Sequence, residues 1–193
     1  LLRAAVLVPW AIPTAITAKL WAFLFSEQGI VNSIFHAHVA WQTDPWAARF
    51  SIILADVWKT TPFMALLILA GLQMIPKDLY EAARMDGANA WQRFTRITLP
   101  LAKNSIIVAV LFRMLDALRM YDLPYIMVGP NPDSPTATLS QLVVAAIRQD
   151  HVNAASALST LIFLLIFLIA LCFVKSLGSK VAHQAEPVVA EEE

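Results

Sequence analysis

The sequence predicts an all-α integral membrane protein with four transmembrane helices. Two observations carry this. Of its 193 residues, 59% are hydrophobic and only 15% charged, with a mean hydropathy of +0.64. A soluble domain typically holds about 45–50% apolar and about 25% charged residues. That much apolar surface exceeds what one small core can hide, which makes lipid the natural solvent. The second observation is four stretches near the roughly 20 apolar residues that a bilayer-crossing helix needs.

The first stretch runs from about Leu2 to Phe25 and contains Pro9 and Pro13. Membrane helices tolerate proline where neighbours satisfy the freed carbonyls. The second runs from about Phe50 to Met74, the third from about Ser105 to Val128, and the fourth from about Ala154 to Val174. The fourth includes LIFLLIFLIALCFV and gives the strongest hydropathic signal. The chain starts at Leu1 and enters apolar sequence at once, without the basic start and cleavage site of a signal peptide. An N-terminally incomplete chain is the expectation.

Lys and Arg collect on the cytoplasmic side of membrane proteins. The segment between the second and third stretches carries Lys77, Arg84, Arg93, Arg96 and Lys103. Lys175 and Lys180 follow the fourth stretch, and Arg3 opens the first. The loops 26–49 and 129–153 contribute only Arg49 and Arg148. Both chain ends and the 76–100 loop are therefore expected in the cytoplasm, with 26–49 and 129–153 outside. Within the second outer loop, GPNPDSP reads as irregular chain. Leu139, Leu142, Val143, Ala146 and Ile147 then follow the spacing of a short amphipathic helix. The tail 182–193, ending in three glutamates, reads as a solvated acidic end.

Several classes are disfavoured. The 14 basic residues balance 14 acidic ones without a basic block, whereas nucleic-acid binding needs clustered cations. Cys172 is the single cysteine, so no internal disulfide framework is available. His36 and His38 form an isolated H-x-H with Asp44 nearby, and His151 stands alone. Metal sites take three or four ligands, so no metal is expected. No phosphate-binding loop, G-x-S-x-G or H-E-x-x-H occurs. The chain is expected to hold no cofactor and to catalyse no reaction.

The most informative segment is IPKDLYEAARMDGANAWQRFTRITLP, Ile75 to Pro100. It reads as helix, turn, helix. Pro76 suits a first turn, and Asp78 and Glu81 favour the positive end of the helix dipole. Leu79, Ala82 and Ala83 give a small apolar face that a partner could approach closely. Gly87 can take positive φ and stop the helix. Trp91 and Phe94 share one side of the next helix, which Pro100 is expected to end. On composition alone, a plain amphipathic hairpin at the lipid headgroups explains all of this.

The residues also resemble a family. Glu81-Ala82-Ala83, Asp86-Gly87-Ala88, Ile97, Leu99 and Pro100 are similar to the EAA loop of permease subunits in binding-protein-dependent ABC importers. The longer run LAGLQMIPKDLYEAARMDGANAWQRFTRITLP, with WKTTPFM, FRMLDALRMYD and Ala154 to Ser159, resembles the maltose, trehalose and glycerol-phosphate branch. The resemblance extends nearly to Lys175. It implies the type I importer permease core, part of a sugar pathway in a bacterial or archaeal inner membrane. The implied partners are two ATPase subunits, a second permease and an external sugar-binding protein, besides the lipid bilayer. Glu81, Ala82, Ala83, Asp86, Gly87 and Ala88 would form the element that docks on an ATPase. Such permeases usually have six crossings, so the resemblance places two further helices before Leu1.

In the third stretch Arg113, Asp116, Arg119 and Asp122 recur every three residues with alternating sign. Opposite charges at that spacing can pair along a helix. Ionisable groups at membrane depth cost about 2.5–3.5 kcal/mol each unless they face protein or water. Two readings stay open: a wall of the translocation path or gate, with Tyr121 and Tyr125 as stacking surfaces for a sugar, or a structural ion-pair ladder. Asp56 and Lys59, three apart in the second stretch, are expected to pair with each other, and Lys19 to snorkel outward. The alternatives are an ion-coupled transporter using this ladder, and an intramembrane enzyme built on Asp116, Asp122 or His151. Neither accounts for the Ile75–Pro100 segment.

Overall fold

The computed structural model describes residues 2–36 and 38–184, with side chains of 7–36 and 38–175. The acidic end of the tail, 185–193, lies outside the described residues. Every regular element among them is helical: α1 (Leu2–Ala11), α2 (Thr14–Leu24), α3 (Ile30–Phe35), α4 (Pro45–Gln73), α5 (Lys77–Met85), α6 (Ala90–Arg93), a π turn (Phe94–Thr98), α7 (Leu99–Leu118), α8 (Asp122–Met127), α9 (Leu139–Arg148) and α10 (Val152–Gln184).

Three helices among the described residues are long and apolar enough to cross a bilayer: Pro45–Gln73, Ala90–Leu118 and Val152–Lys175. They overlay the second, third and fourth predicted stretches. The first predicted stretch is instead two short helices, α1 and α2, broken at Ile12–Pro13. Pro13 has no N–H to give the preceding turn, and proline disfavours helical geometry at the residue before it. Pro9, a turn earlier, is absorbed inside α1.

The third stretch differs at both ends. Pro100 does not stop a helix, because Ala90–Leu118 runs through it. The π turn immediately before it widens the backbone, which accommodates the missing donor and the proline ring. At the far end α7 stops at Leu118, with Arg119 as its cap, and α8 restarts at Asp122. Arg119 and Asp122 are therefore not on the same helix as Arg113 and Asp116.

Aromatic packing joins the elements near α2. Trp21 stacks on Phe25 at 5.6 Å and meets Trp58 edge-on at 5.8 Å. Phe25 packs against Trp41 at 4.9 Å, and Trp41 against Phe50 at 6.2 Å. Buried Asn32 on α3 donates to the Glu27 and Val39 carbonyls and accepts from the Trp41 indole at 2.7 Å. That network ties Glu27, Asn32, Val39 and Trp41 together in a stretch that the sequence presents only as loop. Ala18, Ile52, Ala55, Leu123 and Met127 complete the buried core between α2, α4 and α8. α4 also packs closely on α7, where a Cβ at Gly71 would overlap the Ser105 side chain. By contrast, the most apolar stretch of α10 has no buried residue, with Leu161, Phe163 and Leu168 more than half exposed.

Candidate functional site

Two regions gather the residues singled out by sequence. The first is the hairpin of α5 and α6. α5 buries no residue, and Met85 and Trp91 are 89% and 71% exposed. Its end is fixed by backbone hydrogen bonds. Ala88 N–H donates to the Ala83 carbonyl at 2.9 Å and Gly87 N–H to Arg84 at 3.0 Å, with Gly87 at φ +78°. This is a Schellman turn, whose left-handed position favours glycine. Asn89 then opens α6 with a reciprocal capping box, its side chain accepting from Gln92 N–H while Gln92 accepts from Asn89 N–H. Arg93 Nη1 donates to the Ala88 carbonyl at 2.5 Å, bracing the turn from inside. The Tyr80 hydroxyl meets Thr98 Oγ1 at 3.0 Å and ties α5 to the π turn.

Glu81, Ala82, Asp86 and Gly87 are thus exposed on a short, stiffened element, with Ala83 and Ala88 half-buried at its base. Neither Glu81 nor Asp86 makes an ion pair among the described residues; both pairs there belong to Arg113.

The second region joins α4 and α7, two helices long and apolar enough to cross a bilayer. Arg113 on α7 pairs with Asp56 on α4 and, at 3.0 Å, with Asp116 one turn on. The expected Asp56–Lys59 pair does not form. Asp56 is taken by Arg113, whose planar fork reaches two carboxylates at once. Lys59 Nζ donates instead to the Ile12 carbonyl at 2.5 Å. Lys19 is exposed, consistent with an outward-reaching side chain.

A cavity of about 150 Å³ opens beside this cluster, its wall including Asp56, Lys59, Asp116, Arg119, Tyr121 and Asp122. The structure therefore brings most of the predicted pathway residues together around one space, although the ladder ends after one rung. Arg113 buttresses the cavity through both carboxylates rather than lining it. Tyr125 is also absent from the wall. Its ring stacks on Tyr121 at 5.0 Å, and its hydroxyl accepts from Arg148 Nη1 at 2.9 Å. Tyr121 is the ring that faces the space, and Tyr125 backs it. Sequence reasoning missed the contributions of Asp56, Lys59, Thr14 and Thr60. The available signal was arithmetic: Asp56, Lys59, Arg113 and Asp116 sum to zero charge across two adjacent spans.

Among the described residues no three His, Cys, Asp or Glu side chains are placed to hold a metal ion. His36 is exposed at the left-handed end of α3, and Cys172 is exposed on α10.

The profile of the binding-protein-dependent transport system inner membrane component matches residues 1–183. The chain belongs to that family. It is 45% identical to the trehalose/maltose transport system permease protein MalF of Thermococcus litoralis over 179 residues, 90% of this chain and 61% of that one. It is 44% identical to the sulfoquinovosyl glycerol transport system permease protein SmoG of Agrobacterium fabrum, covering 74% of this chain and 48% of that protein. A chain in the crystal structure of a bacterial alginate ABC transporter, in complex with alginate pentasaccharide-bound periplasmic protein, superposes with a TM-score of 0.78 at 26% identity. That match covers 89% of this chain and 62% of the other. The chain thus spans roughly half to three-fifths of the length of these relatives.

Proposed function

We propose that this permease chain forms part of the pathway of an ATP-driven carbohydrate importer and couples that pathway to ATPase subunits through α5. The observation that carries the reading is the hairpin: a helix with no buried residue, presenting Glu81, Ala82 and Leu79 outward while its exit is locked by Gly87 and Asn89. A lever must be stiff at its root and small at its tip. Tyr80–Thr98 and Arg93–Ala88 supply the first property, and exposed Ala82 the second.

The polar cavity then serves as this chain's share of the sugar route. Sugars need hydrogen-bonding groups and a stacking face, and Thr14, Thr60, Asp122 and the Tyr121 ring offer them. The relatives' names include a trehalose/maltose permease and a sulfoquinovosyl glycerol permease, which supports a glycoside as cargo. The assembled importer would add a second permease, two ATPase subunits and an external binding protein. α1 and α2 together would make a fourth crossing, with the α5 hairpin and both chain ends in the cytoplasm. ATP chemistry belongs to the partners in this scheme. An ion-coupled transporter is disfavoured because Asp56 and Asp116 are both engaged by Arg113.

The test is co-purification in mild detergent with the ATPase and second permease of a sugar importer. Parent chain should retain the ATPase. Glu81→Lys and Gly87→Val should lose it and abolish transport while inserting normally. Retention and normal uptake in both variants would sink the assignment.

A further inference from the structure

Lys59 stands near the middle of α4, a 29-residue span, where a cation without partners is expensive. Asp56 and Asp116 lie nearby on the same cavity wall, but both are bonded to Arg113 and neither makes an ion pair with Lys59. The ammonium group is directed instead at main-chain oxygens at the end of α1: Ile12 at 2.5 Å and Trp10 at 3.5 Å. Those oxygens exist as acceptors because the helix breaks there. Ile12 N–H still donates to Val8, but the helix does not run on past Pro13: Ile16 N–H, which in an unbroken helix would take the Ile12 carbonyl, joins Thr17 N–H on the Pro13 carbonyl instead. Inside an apolar span a freed carbonyl needs a donor from the protein or from an adjoining polar cavity. An ammonium supplies donors, and its positive charge also suits the negative end of a helix.

The break it closes is one residue from the cavity wall. Thr14, the first residue of α2, lines that space together with Lys59 itself. On the α1 side, Trp10 stacks on Phe63 at 5.6 Å and holds the same end of α1 against α4. We propose that Lys59 is a positioning residue for the transport cavity: by clipping the open end of α1 to α4 it fixes the Thr14 wall. This rests on reading the cavity as part of the sugar route, and the test separates the two.

The experiment uses the reconstituted importer with Cys172→Ala and Thr14→Cys, so that residue 14 carries the one thiol of this chain. Maleimide labelling reads the opening of the break, and maltose and trehalose uptake reads the cavity. Lys59→Met should raise the labelling rate about tenfold, the scale of losing one charged hydrogen bond. It should also raise KM more than it lowers kcat. Lys59→Arg, which keeps the donors, should restore both. Unchanged labelling in Lys59→Met would overturn the clip whatever happens to uptake. Raised labelling with KM and kcat both unchanged would instead overturn the cavity as part of the route, and the positioning role with it. If Lys59→Met does not assemble, adding Pro13→Ala must rescue assembly, because without the proline ring the helix can run on and the N–H groups of residues 14 and 16 can take the Trp10 and Ile12 carbonyls in place of the clip. Failure of that rescue would also overturn the proposal.

Discussion

The α5 hairpin and the membrane cluster hold their shapes by opposite means. In the hairpin the fixing bonds are mostly local: Ala88 to Ala83, Gly87 to Arg84, Asn89 to Gln92, Arg93 to Ala88. In the cluster the decisive ones join residues 47 and 57 positions apart, Lys59 to Ile12 and Arg113 to Asp56. The hairpin sits where water or a partner can solvate it, so each of its bonds is a small increment. The cluster lies between two apolar helices, where Asp56 is largely buried and an abandoned charge is costly. Damage to the cluster should therefore be large and repairable only in pairs. Damage to the hairpin should be small and additive.

The largest effect is expected at Arg113. Replacing it by Met leaves Asp56, with its side chain 12% exposed, as an unpaired carboxylate between α4 and α7. Stranding one member of a buried pair costs about 3–5 kcal/mol, and the lower figure applies because the Arg113 side chain is 23% exposed. The comparison is sharpened by Asp56→Asn in the same chain. The double variant should recover most of the loss, measured as thermal stability of the detergent-solubilised complex. Simple additivity of the two losses would break the claim that these groups act as one unit.

This contrast also explains what the sequence could reveal. The helix–turn–helix at 76–100 was legible because Gly87 and the helix-start residues act within a few positions of themselves. α4 and α10 were legible because hydropathy over about 20 residues is a local average. The break at Pro13 was not, since membrane helices carry prolines both as kinks and as breaks, and Pro9 and Pro62 are indeed absorbed within helices. The end of α7 at Leu118 escaped for a similar reason, because Leu123, Ile126 and Val128 keep the local average apolar beyond it. Asp56 and Lys59 were read as partners because three-residue spacing is visible in sequence. Arg113 outcompetes Lys59 through a fold contact that spacing does not encode.

Next in size is Gly87. A Cβ there would meet nothing within 4 Å, so any penalty comes from the backbone at φ +78° rather than from crowding. Gly87→Ala should destabilise the hairpin by about 1–2 kcal/mol, the left-handed penalty for a side-chain-bearing residue. Gly87→Asn should lose less, because asparagine tolerates that region. Hydrogen exchange at the amides of 83–92 should accelerate in Gly87→Ala, while exchange in α4 and α7 stays at parent rates. Acceleration spreading into α4 would break the separation between the two regions.

The smallest effect has the opposite sign. α9 ends as α5 does, with His151 N–H donating to Ala146 and Asp150 N–H to Ile147. Here the left-handed position is held by Asp150 at φ 61°, where α5 has a glycine. The same geometry thus carries a steric cost in α9 that α5 avoids. Aspartate bears it better than most residues, and glycine adds unfolded-chain entropy, so Asp150→Gly should gain only about 0.5 kcal/mol. The gain would appear as slower hydrogen exchange at residues 149–151. Slower exchange there together with faster exchange in Gly87→Ala would identify one backbone rule acting in both turns. Faster exchange in Asp150→Gly would instead mean that the Asp150 side chain holds its turn by an interaction stronger than the strain.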